Sequence, residues 1–185
     1  MHLSFPVFVV GIMVAVSVAA AVIDGRTGRI PNWLTLPAMV IGLGAHGVAH
    51  GPSGFGLSLF GLFLTAFVPW VFYQGSGGQA IGGGDVKLAA AIGALSGPTQ
   101  GLEIEFAALL ALAFLALARL TYQGKLARVL GNVFCLVTNP LRPRARRKSI
   151  APESLTEMRM GPGVALGVLV VLVSEHLVQW LPWLA

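Results

Sequence analysis

The chain contains two aspartates, Asp24 and Asp85. Each stands where an apolar stretch meets a short polar loop. Asp24 opens the run Asp24-Gly25-Arg26-Thr27-Gly28-Arg29-Ile30-Pro31-Asn32. Asp85 closes Ile81-Gly82-Gly83-Gly84-Asp85 and leads through Val86 and Lys87 into apolar sequence. An acid at the end of a membrane helix is costly unless it is solvated, paired or used. Two carboxyls held close together resist double ionisation, so one keeps its proton while the other acts as a base. The base activates a water, and the acid polarises a scissile carbonyl and then protonates the leaving amine. That chemistry cuts a peptide with no metal, no cofactor and no covalent nucleophile. The glycines before Asp85 suit it, because a backbone without side chains lets an extended peptide approach closely. Other readings stay open on residue type alone. Asp24 fits a helix-end or turn residue, Asp85 fits a helix N-cap, and intramembrane acids also serve ion pathways.

The elements that must position these acids are apolar helices. Of 185 residues, 56% are hydrophobic and 10% charged, against about 25% charged in average soluble proteins. Helix-length apolar runs recur, each near the roughly 20 residues that cross a hydrocarbon core. The fold class is therefore all-α: a polytopic membrane protein with about six transmembrane helices, at residues 3–23, 33–50, 55–73, 86–96, 102–122 and 162–181. The fourth is short for a full span. It must be tilted, buried among the others or extended by the loop before it. Residues 125–137 place Leu126, Val129, Leu130, Val133, Phe134 and Val137 on one helical stripe, which fits an interfacial amphipathic helix or an ordinary packing helix equally well. Trp180 and Trp183 suit interfacial anchors. The longest polar stretch is 139–161, so the whole of 1–185 reads as one membrane-embedded domain.

Charge placement orients it. Residues 1–5 lack Lys and Arg, and the first positive charges, Arg26 and Arg29, follow the first apolar run. That pattern fits an uncleaved helix with its N-terminus outside. Loops 24–32, 74–86 and 122–161 then face the cytoplasm and hold ten of the 12 Lys and Arg residues. Both aspartates fall at the cytoplasmic boundary, and Glu103 and Glu105 fall on the other side. The net charge of +5 reflects this sorting, with the basic run 142–148 as a topology-fixing loop, and does not call for nucleic acid. The single cysteine, Cys135, excludes an intrachain disulfide and a Cys-x-x-Cys metal site. His46 and His50 are spaced for zinc, yet no Glu follows His46 and both fall on the outer side, so they read as interfacial residues. Gly75-x-Gly77-x-x-Ala80 lacks the strand–helix context of a dinucleotide fingerprint. Lys87, two residues past Asp85, points away from it on a helix and fits snorkelling to the surface or contact with an acidic substrate residue.

Asp24 followed by Ile30-Pro31-Asn32-Trp33-Leu34-Thr35-Leu36-Pro37, then Gly82-Gly83-Gly84-Asp85-Val86-Lys87-Leu88, closely resembles the bacterial type IV prepilin peptidases, the GxGD class of membrane aspartic proteases. The resemblance implies cleavage of a short basic leader from a prepilin, after a glycine, at the cytoplasmic face of the inner membrane. It makes Asp24 and Asp85 the catalytic pair. Gly82, Gly83, Gly84, Lys87, Pro31 and Asn32 would shape the substrate site. The partners it implies are prepilin or pilin-like substrates, the lipid bilayer and the pilus assembly machinery. Larger members carry a cytoplasmic domain with paired Cys-x-x-Cys motifs and N-methylate the pilin. This chain looks like the short form serving tight-adherence (Flp-type) pili, so methylation is not expected. Its last helix begins Met160-Gly161-Pro162-Gly163, where such short members often have Pro-Tyr-Gly, which leaves a site role for this stretch unsupported. Three competitors remain: a transport protein using the two acids for protons or cations, a catalytically dead assembly scaffold, and a preflagellin peptidase of the same class.

Overall fold

The computed structural model describes residues 7–76, 81–124 and 161–180. These form four helices: α1 (Val7–Thr27), α2 (Asn32–Ser76), α3 (Gly83–Tyr122) and α4 (Gly161–Trp180). The first three are long and apolar enough to cross a membrane. A helix satisfies every backbone hydrogen bond internally, as hydrocarbon demands. The expected interfacial helix at 125–137, the basic run at 142–148 and the tryptophan at 183 lie outside the described residues, as does the side chain of Trp180.

Four helices stand where six segments were expected, because two Gly-Pro pairs take the place of loops. Gly51 (φ 65°, ψ −154°) interrupts α2 and Gly97 (φ 76°, ψ −178°) interrupts α3. Glycine takes this positive φ without a steric penalty. The prolines that follow, Pro52 and Pro98, lack an N–H that the new helical start would leave unpaired. Each break turns the chain back on itself. A Cβ on Gly47 would stand 3.6 Å from that of Phe55, whereas a straight helix would separate the two residues by about 12 Å. A Cβ on Gly101 would likewise stand 3.3 Å from the Cα of Gly93.

The short fourth segment is the centre of the bundle. Residues 90–97 are all buried, and the helix reaches back through the glycines to Gly83. Small residues let its neighbours close on it. A Cβ on Gly42 would meet the Ala94 backbone at 2.6 Å, and one on Gly61 would meet the Gly97 carbonyl carbon at 2.7 Å. This is the close backbone approach by which helices associate in lipid, where the hydrophobic effect gives no drive between them. Hydroxyls reinforce it: Ser58 donates to the Ala94 carbonyl (2.6 Å) and Thr65 to that of Ala89 (2.8 Å). Leu88, Ala91 and Leu95 of α3 join Val9 and Met13 of α1, Ile104 and Val168 in one core. The outer surface carries Phe60, Phe63, Phe67, Leu110 and Phe114, an exposure suited to lipid rather than water.

His46 departs from expectation. It is buried at 4% exposure, with Nε2 2.9 Å from the Leu95 carbonyl. That nitrogen therefore carries the proton, and His46 closes the bundle rather than facing the interface.

Candidate functional site

Asp24 sits inside the last turn of α1, not beyond its end. The helix runs on to Thr27 because its cap lies later. Gly28 takes φ +66° and donates its N–H to the Asp24 carbonyl at 2.9 Å, the left-handed C-terminal stop that glycine favours. The Thr27 hydroxyl donates to the Ile23 carbonyl (2.9 Å) and accepts the Arg29 N–H (3.3 Å). Only 28–31 is left as the non-helical connection. The Asp24 side chain is 4% exposed. An acid at a helix C-terminus faces the negative end of the dipole, and α4 supplies the compensation. Its first residue, Gly161, donates its N–H to Asp24 Oδ2 at 3.1 Å. A Cβ at Gly161 would stand 2.9 Å from Asp24 Cβ and 3.0 Å from the Ala20 carbonyl oxygen, so only glycine brings the start of α4 this close.

Asp85 occupies the third position of α3, with Gly82 as the residue before the helix. It is therefore not the N-cap. Its carboxyl reaches back to accept the Gly82 N–H at 3.0 Å, which satisfies one of the donors a helix start leaves unpaired. Gly82 has no side chain to complete the reciprocal bond, and its carbonyl accepts the Asp85 N–H at 3.1 Å. Gly83 and Gly84 are thus the first helical turn rather than an extended rim. Gly84 is needed inward: a Cβ there would meet the Ile30 Cβ and carbonyl oxygen, both at 3.0 Å. This contact presses the start of α3 against the connection that leaves α1.

The turn of α3 that carries Asp85 therefore packs on the short connection that follows Asp24. Beside them Lys87 donates to Asn32 Oδ1 at 2.8 Å on the exposed rim. The lysine therefore has an intramolecular partner at the start of α2. The Pro31 carbonyl accepts the Leu34 N–H at 3.2 Å and so opens α2. Asp24, Pro31, Asn32, Gly82, Gly83, Gly84, Asp85 and Lys87 thus lie where the start of α3 meets the connection between α1 and α2.

Two further residues stand at this end of the bundle, against the expectation from the sequence. Gly161 lies in a stretch without the usual motif, yet a glycine before proline at the start of a helix is a signal for close approach. Glu105 is expected on the far side from the aspartates. The reversal at Gly97 lets the second half of α3 begin at Pro98, which carries Glu105 about two turns inward. It lines the same small cavity as Asp85, about 40 Å³, together with Thr65, Phe72, Ala89 and Val164. Among the described residues no group of three His, Cys, Asp or Glu is arranged to hold a metal.

Two aspartates at one end of a bundle of apolar helices mark a helical membrane protein with acid/base potential, a feature that proteases and ion-coupled carriers share. The chain belongs to the type IV leader peptidase family, whose profile matches residues 11–117. That span holds both aspartates, the glycine run and Glu105, and family membership makes the protein a leader peptidase-type protease. No curated protein and no solved structure matches the chain.

Proposed function

We propose that the protein is an aspartic endopeptidase that removes the short basic leader of type IV prepilins of the Flp kind, cutting after a glycine at the cytoplasmic face of the inner membrane. The observation that carries this reading is the docking of the start of α3, which carries Asp85, onto the connection that follows Asp24, where a Cβ on Gly84 would meet Ile30 at 3.0 Å. In the proposed reaction one carboxylate takes a proton from water as it attacks the scissile carbonyl. The other, as the acid, hydrogen-bonds the carbonyl oxygen and then delivers its proton to the leaving amine. The Gly161 N–H holds Asp24 in one orientation, and the Gly82 N–H does the same for Asp85. Lys87 and Asn32, with Pro31 behind them, form the rim over which the leader passes, and Gly82 to Gly84 keep that rim low. In this reading the halves of α2 and α3 on either side of Gly51 and Gly97 each count as a crossing, giving six with α1 and α4, and the positive charges Arg26 and Arg29 after α1 put the N-terminus outside. Pilin-like substrates and the bilayer are the partners this requires, with the pilus assembly machinery downstream.

The test is co-expression with an epitope-tagged Flp-type prepilin in a host lacking leader peptidases. Conversion to the mature form, with N-terminal sequencing that maps the cut after glycine, is the expected result. A prepilin that stays full-length beside well-expressed protein would count against this substrate.

A further inference from the structure

The cavity beside Asp85 is almost wholly apolar. Of its lining side chains only Thr65, Asp85 and Glu105 are polar. Thr65 is committed to the Ala89 carbonyl, and Asp85 accepts the Gly82 N–H. Glu105 is different: both carboxyl oxygens are shielded from the surface and neither has a hydrogen-bond partner among the described residues. A buried polar group left unpaired is expensive, so its presence calls for a partner that arrives from outside. The cavity shows where that partner enters. Val68, Phe72 and Leu109 on its edge are 36%, 57% and 40% exposed, so it opens as a groove on the lipid-facing side and runs inward to Asp85.

A protease must receive its substrate unwound at the bond it cuts. In hydrocarbon, an unwound main chain loses the partners of its N–H and C=O groups, which nothing apolar can replace. We propose that Glu105 is a specificity-determining residue of this site: its carboxyl hydrogen-bonds a main-chain group of the substrate's unwound segment on the membrane side of the scissile bond, about one helical turn below Asp85. The occupant of the groove is thus the apolar segment of the substrate that adjoins the leader. This rests on the peptidase reading above and adds to it a recognition element for the part of the substrate that remains after cleavage.

The experiment is steady-state cleavage of a purified Flp-type prepilin by the purified full-length enzyme in lipid–detergent micelles, comparing wild type, Glu105→Gln and Glu105→Leu. Gln keeps a donor and an acceptor at the same place and Leu keeps neither. The inference expects Glu105→Leu to lower kcat/KM roughly ten- to a hundredfold, the range for leaving one buried polar group unpaired, with the loss mainly in KM. Glu105→Gln should recover most of it. Because Glu105 has no partner among the described residues, replacing its costly unpaired carboxyl with Leu should hold or raise the thermal midpoint. Three results would overturn the inference: Leu cutting as well as wild type, Gln as poor as Leu, or a fall in thermal midpoint that accompanies the loss of cleavage. The peptidase reading fails separately, by wild-type enzyme that cuts nothing.

Discussion

Gly161→Ala is the substitution that most directly asks whether α4 holds the acid of α1. The added methyl would stand 2.9 Å from Asp24 Cβ, 3.0 Å from Asp24 Oδ2 and 3.0 Å from the Ala20 carbonyl oxygen. Ordinary contact begins about half an ångström further out, and two of these neighbours belong to the side chain whose position matters. Either α4 moves away, which stretches the 3.1 Å hydrogen bond from Gly161 to Asp24, or Asp24 rotates. Overpacking of this kind costs about 1–3 kcal/mol, and a hydrogen bond to a charged group contributes about 1.5–3 kcal/mol. A displaced reacting group alone costs a catalyst about a hundredfold. The expected outcome is a drop in leader cleavage of roughly 10²-fold in protein that still inserts and accumulates. The assay is the ratio of mature to precursor prepilin in membranes over time, normalised to the amount of peptidase. Gly44→Ala is the control, since a methyl at that helical position meets nothing within 4 Å and should leave cleavage unchanged. Wild-type cleavage by Gly161→Ala would refute the claim that the start of α4 sets the geometry of Asp24.

Further outcomes follow from the same geometry. Gly84→Ala, whose methyl would meet Ile30 at 3.0 Å, should part the start of α3 from the connection after α1 and lower cleavage, while Gly11→Ala, in open space, should not. Lys87→Gln and Asn32→Leu break one exposed hydrogen bond of 2.8 Å, so stability should change by no more than about 0.5 kcal/mol. Their effects on cleavage should be non-additive in a double-mutant cycle, and simple additivity would show that the pair does not act as a unit. Gly51→Ala and Gly97→Ala force a side chain into a glycine-only backbone conformation and should each lower stability by roughly 1–3 kcal/mol, read as a lower thermal midpoint in detergent. Cysteines at 24 and 85, with Cys135 replaced by serine, should be joined by a short thiol cross-linker without substrate present. Failure to join would separate the acids in the resting protein.

Much of this arrangement was legible in the residues themselves. Apolar runs of spanning length, two lone aspartates and the Pro31-Asn32 and Gly82-to-Asp85 motifs pointed to one end of a helical membrane bundle, and all these residues do gather there. What the chain order concealed was reversal and capping. A Gly-Pro pair reads as a loop of several residues, but Gly51 and Gly97 turn the chain in a single residue. The start of the next segment then comes earlier, and Glu105 moves from the outer boundary to the wall of the cavity. The ends of the acidic helices were misplaced for a related reason. Gly28 rather than Asp24 stops α1, and Gly82 rather than Asp85 precedes α3. Each acid thus belongs to a helical turn that fixes its direction. The Gly161–Asp24 bond spans 137 positions in sequence, and the contact of Gly84 with Ile30 joins two different elements. Spacing along the chain carries no trace of either.

The central claim is that Asp24 and Asp85 perform the cleavage together. The most direct measurement compares prepilin leader removal in membranes by wild type, Asp24→Asn and Asp85→Asn, each checked for equal levels of inserted protein. The account predicts that either substitution alone abolishes cleavage, because each acid has a part the other cannot take over. Cleavage that persists in both variants would contradict it and would turn attention to an ion-coupled or scaffolding role for the two acids.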